Sequence, residues 1–310
     1  MNRGEYVGRF APSPTGPLHF GSLVAAAGSF WDARARGGQW RVRIEDVDGP
    51  RSVPGAGDGI LRTLEAFGLE WDGPVVWQHQ RTDAYRGALE ELASQGMAYP
   101  CACSRKDLEG APLARDGARI YSGRCRDGLP PGGRPRAWRF RVPTGLFGFL
   151  DAVQGPVREN VEKEVGDFIL LRADGCFAYQ LAVVLDDAAA GVTHVVRGAD
   201  LLESTPRQVA LQASLGLVEP IFAHLPVVLN EQGEKLSKQT RAPAVDLRQP
   251  ASVLTEVLAF LGQKPPAGLA SGTVKAVHEW VLEHWALERV PRQRGLPWQS
   301  PISGVGLRSR

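Results

Sequence analysis

The chain has 310 residues, 43% hydrophobic and 23% charged, and its 36 basic and 34 acidic side chains leave a net charge of +2. That length suits about two domains and a substantial core. No run approaches the roughly 18 apolar residues of a membrane helix, and the amino end MNRGEYVGRF lacks the apolar stretch of a signal peptide. Secreted, membrane-spanning and disordered proteins are disfavoured, and a cytoplasmic one is expected. The near-neutral balance does not by itself argue for a nucleic-acid partner. Thirty of the basic residues are Arg and only six Lys, which reads as a GC-rich genome before it reads as phosphate binding. The four cysteines read as thiols or metal ligands rather than a disulfide framework.

Residues 6–10 form a short β-prone run, ended by the Pro- and Gly-containing turn APSPTGP at 11–17. Residues 18–36 carry apolar positions at helical spacing, Gly37-Gly38 stops them, and 40–45 return as a strand. Such a β-α-β unit crosses over right-handed onto a parallel neighbour and opens a doubly wound α/β sheet. Helices over 58–67 and 82–95 flank a strand at 75–77. Residues 99–136 break this rhythm with Cys, Gly, Pro and Arg and read as an inserted module, bracketed with its following loop by strands at 137–142 and 168–172. Residues 177–185, 193–197, 205–215 and 221–229 restore the α/β alternation. Beyond Thr240 the composition turns helical, over 251–261 and 274–285, and from Pro291 an aperiodic segment reads as an extended or disordered arm. The expected organisation is a catalytic domain in two halves (1–98 and 137–240) split by the module at 99–136. A helical part follows at 241–290, and a flexible tail at 291–310.

The turn after the first strand carries the first chemical signal. Ligands of parallel sheets sit beyond the carboxyl ends of the strands, and a helix amino terminus offers free N–H groups to phosphate. Here the helix opens Leu18-His19-Phe20-Gly21-Ser22: Gly21 permits close approach of a base or ribose, and His19 supplies a donor. On these residues alone a simple helix cap is the better reading. A second signal is Gly233-Glu234-Lys235-Leu236-Ser237-Lys238-Gln239, whose two lysines in a glycine-bearing loop suit a polyphosphate.

With both segments in view, RFAPSPTGPLHFGSL resembles the HIGH signature of class I aminoacyl-tRNA synthetases in its glutamate-specific form, and KLSKQ resembles their KMSKS loop. RIED at 43–46, YQLAVVLDD at 179–187 and HVVRG at 194–198 are similar to the remaining glutamate-site blocks, in the expected order, so the resemblance spans about residues 6–240. Phe20, Ser22, Leu236 and Gln239 are mild departures. The resemblance implies a class I Rossmann-like parallel sheet with an inserted zinc-binding module and a short helical C-terminal part. It also implies a binding site for ATP accompanied by Mg²⁺ at His19, Gly21, Ser22, Lys235, Ser237 and Lys238, with His19 and Lys238 catalytic. L-Glutamate is expected at Arg9, Ala11, Ser13, Glu45, Tyr179 and Arg197, because a dicarboxylic substrate needs two cationic anchors and a guanidinium fork suits a carboxylate. Only 71 residues follow Gln239, too few for the helical anticodon-binding region of a full-length glutamyl-tRNA synthetase. This resembles the truncated glutamyl-Q tRNA(Asp) paralogues. It implies transfer of activated glutamate to queuosine in the anticodon stem-loop of tRNA(Asp), by a monomer. The alternatives are a short glutamyl-tRNA synthetase charging the tRNA 3′ end and a non-catalytic RNA-binding paralogue.

Within the insertion, Cys101, Cys103, Tyr121 and Cys125 follow a C-x-C-x17-Y-x3-C spacing. Structural zinc takes four ligands, and tyrosine is an uncommon one, so spacing alone is a moderate signal. The family's zinc site in this insertion raises it, as does the need of a small Gly/Pro-rich insert for a staple. Cys176 reads as a bystander. Eight arginines between 115 and 141 suit either a solvated face or RNA contact.

Overall fold

In the computed structural model, residues 5–236 and 242–298 are described. Strand β1 (Val7–Phe10) leads into helix α1 (Phe20–Ala35), and β2 (Gln39–Ile44) returns parallel to β1, with Val7 opposite Gln39. Helix α2 (Ala56–Ala66) precedes β3 (Val76–Trp77), which continues the sheet in parallel beyond β2. Helix α3 (Thr82–Ser94) and β4 (Ala98–Cys101) lead into the insertion. After it come β5 (Ala137–Phe140), β6 (Phe147–Asp151), β7 (Gly155–Glu159), the single turn α4 (Val161–Glu164) and β8 (Ile169–Leu171). The chain then runs α5 (Tyr179–Ala189), β9 (His194–Gly198), α6 (Thr205–Ser214), β10 (Ile221–Leu225) and β11 (Val227–Leu229). Helices α7 (Pro250–Phe260) and α8 (Val274–His284) and strand β12 (Gly295–Pro297) follow among the described residues.

The parallel strands meet in the middle of the fold. β9 pairs in parallel with β10, and the Thr193 amide donates to the Val7 carbonyl at 2.9 Å, bringing β9 beside β1. Two strands from opposite parts of the chain, Val7–Phe10 and His194–Gly198, therefore place their carboxyl ends side by side. Helix α1 is buried almost all round, from Leu23 to Ala33, because it is sandwiched between β1 and β9 on one side and α7 and α8 on the other. Gly28 permits the closest approach: a Cβ there would lie 2.6 Å from Leu225 Cδ1. The one acid inside this helix, Asp32, is satisfied by the Tyr6 hydroxyl at 2.6 Å and the Trp285 indole N–H at 3.0 Å.

Three features differ from the sequence expectation. The parallel sheet does not extend into the middle of the chain, where β4, β5 and β8 form an antiparallel sheet. Residues 143–160, expected as loop, contain the antiparallel hairpin β6–β7, a short-range pairing whose alternation is diluted by Gly and Pro. The segment from Pro291 is not a free arm as far as Trp298. β12 pairs in parallel with β11, and the Trp298 ring stacks on Phe20 with centroids 3.9 Å apart. Residues 299–310 lie outside the described set.

Candidate active site

At the carboxyl ends of β1 and β9 opens a cleft of about 670 Å³, and it gathers residues from both halves of the chain. Arg9, Ala11, Ser13, His19, Gly21, Ser22, Glu45, Tyr179, Arg197 and Lys235 all line it. Parallel topology accounts for this, since these residues sit at strand ends, in the loops leaving them or in the first turn of the helix that follows. Ser237 and Lys238 lie outside the described residues. The chain leading to them is placed: the Leu236 amide donates to the Val228 carbonyl at 2.8 Å, and Lys235 and Leu236 line the same wall as His19.

His19 is the N-cap of α1, its Nδ1 accepting the Ser22 amide at 3.2 Å. A ring nitrogen that accepts carries no proton, so in the neutral ring the proton is on Nε2, which lies 3.1 Å from Ser22 Oγ. The helix-cap reading and the donor reading are therefore the same arrangement: capping turns Nε2 into a donor at the helix amino terminus. A Cβ on Gly21 would sit 3.3 Å from the His19 ring, so any side chain there would press on it. In the same cleft, Lys235 Nζ donates to Asp200 Oδ2 at 2.5 Å.

The glutamate-pocket candidates divide electrostatically. Arg9 is buried and ion-paired with Asp187 at 3.3 Å. Arg43, buried and raised further above its already high pKa by Asp187 and Glu45 against the cost of burial, bonds Asp187 at 2.6 Å and Glu45 at 3.0 Å. Burial alone would raise Asp187, but Arg9 and Arg43 outweigh it and hold the carboxyl below its usual range. Glu45 is the reverse case: burial prevails over Arg43 and Arg9, and its pKa is raised. Arg197 is 4% exposed, and among the described residues no carboxylate lies within ion-pair distance. Its partners are neutral: His224 Nε2 at 3.0 Å, the Tyr179 hydroxyl at 3.3 Å, Thr205 Oγ1 at 2.9 Å and Gln208 Oε1 at 2.7 Å. Burial depresses its pKa, so the cleft holds a guanidinium that would gain from an incoming carboxylate. The sequence offered Arg43 and Asp187 only as parts of resembling blocks. Asp151, Thr205, Gln208 and His224 carried no signal, since their partners are remote in the chain.

In the insertion, the sulfurs of Cys101, Cys103 and Cys125 lie within 4.8 Å of one another. The Tyr121 hydroxyl is 3.5 Å from Cys101 Sγ and 3.6 Å from Cys103 Sγ, and the Cys103 and Cys125 sulfurs are 3.7 Å apart. A tetrahedral ion with Zn–S bonds of about 2.3 Å needs sulfurs about 3.8 Å apart and a sulfur–oxygen spacing of about 3.5 Å, so the donor set fits. The Arg139 guanidinium lies over the Tyr121 ring, 3.7 Å from its centroid, and Arg139 Nε is 3.3 Å from Cys101 Sγ. Burial pushes the Cys103 thiol up to about 11, while Cys125, despite burial, is lowered by the Tyr121 hydroxyl and neighbouring donors. Of the eight nearby arginines, six make internal bonds: Arg115 to Glu164, Arg119 to the Ala111 carbonyl, Arg124 to Asp107, Arg126 to Glu162, Arg141 to Asp127, and Arg139 as above. Only Arg139 is buried; Arg115, Arg119, Arg124, Arg134 and Arg136 are exposed.

A family model described as tRNA synthetases class I (E and Q), catalytic domain, matches residues 5–252. A protein of Aromatoleum aromaticum named glutamyl-Q tRNA(Asp) synthetase is 60% identical over 93% of this chain and 91% of its own. A protein of the same name from Chromobacterium violaceum is 54% identical over 98% of this chain and 100% of its own. Among solved structures, a glutamate tRNA ligase from Elizabethkingia meningosepticum, crystallised with its amino acid, superposes with a TM-score of 0.79 at 26% identity. That match covers 96% of this chain and 67% of that one. Among the described residues no helix is long and apolar enough to cross a membrane. With the cleft of a class I site at the sheet's carboxyl edge and identity at this level along most of its length, the chain belongs to the class I tRNA synthetases for glutamate and glutamine, and within them to the glutamyl-Q tRNA(Asp) synthetases.

Proposed function

We propose that this enzyme activates glutamate with ATP in the cleft between β1 and β9 and transfers it to queuosine in the anticodon loop of tRNA(Asp), working in the cytoplasm. The observation that carries the reading is Arg197: a buried guanidinium with neutral partners, in the same cleft as His19 and the start of the KLSK segment. A substrate carboxylate supplies the charge that the fold withholds. Glu45 would accept from the substrate's α-ammonium, and Tyr179 would donate to a carboxylate. One carboxylate oxygen of glutamate attacks the α-phosphorus of ATP, and pyrophosphate leaves in line. Such a step is served by positioned donors rather than a protein nucleophile. His19 Nε2–H, with Lys238 from the loop beyond Lys235, would donate to the phosphate oxygens as charge builds. Mg²⁺ neutralises phosphate charge when bound. Of the three carboxylates lining the cleft, Glu45 and Asp200 are paired with Arg43 and Lys235 and Glu234 accepts from Asn230, so the ion would be held mainly through the nucleotide's phosphates and water. Cys101, Cys103, Tyr121 and Cys125 would hold a structural zinc that shapes the insertion.

The test is incubation with labelled glutamate, ATP and tRNA with and without queuosine, followed by identification of the labelled nucleotide. Label on the wobble base that survives removal of the terminal adenosine is the expected result. Label on the 3′ adenosine would assign the enzyme to ordinary charging, and absence of glutamate-dependent pyrophosphate exchange would overturn the catalytic reading.

A further inference from the structure

Behind Arg197, on the side away from the cleft, stands a fully buried histidine that the activation chemistry does not use. His224, on β10, has no exposed surface. Its Nδ1 lies 2.6 Å from Asp151 Oδ2, and its Nε2 lies 3.0 Å from Arg197 Nε. Asp151 ends β6, and its other oxygen, Oδ1, accepts three backbone amides: Val153 at 3.0 Å, Gln154 at 2.8 Å and His224 itself at 3.1 Å. Burial would raise the carboxyl's pKa, but the His224 ring and then the Gln154 and His224 amides outweigh it and hold the carboxyl below its usual range. Asp151 is thus an acceptor at both oxygens.

This geometry permits one proton arrangement. Oδ2 must receive a proton from Nδ1, and Arg197 Nε–H must find a lone pair on Nε2. The other tautomer would set Nε2–H against Arg197 Nε–H and leave Nδ1 facing a carboxylate, lone pair to lone pair. Thr205 Oγ1 accepts from Arg197 Nη2 and has two acceptors within reach of its own hydrogen, the Leu201 carbonyl at 3.0 Å and His224 Nε2 at 3.2 Å, and a hydroxyl turned to Nε2 needs the same bare nitrogen that Arg197 does. The charged groups facing the ring are Asp151 and Arg197 in contact and Asp200 further off. With Nε on His224 and Nη2 on Thr205 and Gln208, three sides of the guanidinium are taken by the protein. Nη1, beside the Tyr179 hydroxyl on the cleft wall, is the edge left for a ligand.

We propose that His224 and Asp151 are positioning residues for substrate recognition. Asp151 locks the His224 tautomer, and the bare Nε2 orients Arg197 so that its Nη1 edge meets the carboxylate of glutamate. The arrangement also keeps a negative charge one ring away from Arg197 without pairing to it, so the guanidinium stays available. This rests on the glutamate reading above, and the test separates the two.

Asp151→Asn, His224→Gln and the double variant are compared with the parent enzyme in pyrophosphate exchange, with ¹⁵N imidazole NMR on the parent and Asp151→Asn proteins. In Asp151→Asn the three amides keep the side-chain oxygen at Oδ1 and turn the NH₂ toward His224, which forces the ring proton onto Nε2 and against Arg197. The glutamate KM is expected to rise about 10- to 100-fold, as for a displaced anchoring group, with the ATP KM within about twofold. The NMR signal is expected to move from an Nδ1–H to an Nε2–H tautomer. His224→Gln offers Arg197 a carbonyl oxygen that needs no tautomer. It is expected to retain most glutamate affinity and to make a second Asp151→Asn change nearly silent. A parent His224 protonated at Nε2, or glutamate and ATP KM values rising together, would overturn the proposal. If Asp151→Asn fails to fold, loss of glutamate affinity alone in His224→Leu but not in His224→Gln decides it, and equal loss in both overturns it. A parent enzyme with the Nδ1–H tautomer but no glutamate-dependent exchange would sink the functional reading while leaving the tautomer lock standing.

Discussion

Lys238 and Arg197 are both cations assigned to anionic ligands, yet they fail differently when changed. Lys238 acts on charge that appears in the transition state, so Lys238→Ala should lower glutamate-dependent pyrophosphate exchange by about 10²- to 10³-fold, mostly in kcat. An unchanged rate would remove it from the mechanism. Arg197 acts on the ground state and through shape. Arg197→Lys keeps the charge but cannot replace bonds to His224, Tyr179, Thr205 and Gln208 at once. The glutamate KM should rise on the order of 100-fold with the ATP KM little changed, and titrating each substrate separately checks this. Arg9 reads differently from its sequence expectation as a substrate anchor. It lines the cleft, but it also spends its donors on Asp187. Arg9→Ala should therefore cost stability as well as glutamate affinity, because among the described residues it leaves Asp187 with Arg43 as its one cationic partner in a buried site.

Two small elements carry more than their size suggests. The insertion presents three thiols and a phenol at spacings that suit zinc, and its own apolar cluster is little more than Tyr99, Cys101, Tyr121 and Cys125. Chelation with a strong zinc ligand should lower the thermal midpoint and expose the insertion to proteolysis while the sheet around the cleft persists. Limited digestion followed by mass spectrometry would show the cut sites, and a chain purified without chelators that contains no zinc would overturn the assignment. Strand β12 lies on β11, the strand that feeds the KLSK loop, and Trp298 stacks on Phe20 at the start of the His19 helix. It therefore ties together the two halves of the nucleotide site. Trp298→Ala should raise the ATP KM several-fold and leave the glutamate KM nearly unchanged, the reverse of the pattern for Arg197.

For the molecule as a whole, buried ionisable groups set the pH range of stability. His224 is lowered to about 4 by burial and by Arg197, and His278, on α8, is also lowered by burial. In the unfolded chain both would take up protons near pH 6.5. Between about pH 6.5 and 4 the unfolded state binds more protons than the folded one, so stability rises with pH through that window and falls on acidification. For His224 a shift of that size is about 3 kcal/mol. Below it, the depressed carboxylates Asp187 and Asp151 lose their contribution as pH falls through their folded pKa values. At the alkaline end, Tyr6, Tyr85 and Tyr99 are raised by burial and by their bonds to Asp32, Asp186 and Asp167, so their contribution is lost once pH exceeds the unfolded value near 10. Thermal midpoints measured across pH should form a plateau between about 6.5 and 10. His224→Gln should flatten the acid limb, and an unchanged limb would show that His224 does not carry it.

The local signals were written along the chain. The β1-α1-β2 unit, the alternation of strands and helices, the HFGSL and KLSKQ segments, the glutamate-site blocks and the C-x-C…Y…C spacing are each read from short runs of residues and their order along the chain. Period, turn chemistry and short motifs report such neighbourhoods directly, and they were enough to identify the family. The docking of β12 on β11, the Asp187–Arg9–Arg43 ion pairs and the Asp151–His224–Arg197 chain were decided only by tertiary structure. Each joins residues from separate strands or helices, 27 to 178 positions apart within the two polar sets. The hydrogen bond that gives a buried His or Asp its meaning comes from whichever strand the sheet places opposite. That placement follows from packing the whole core and leaves no periodic trace in the residues that meet there.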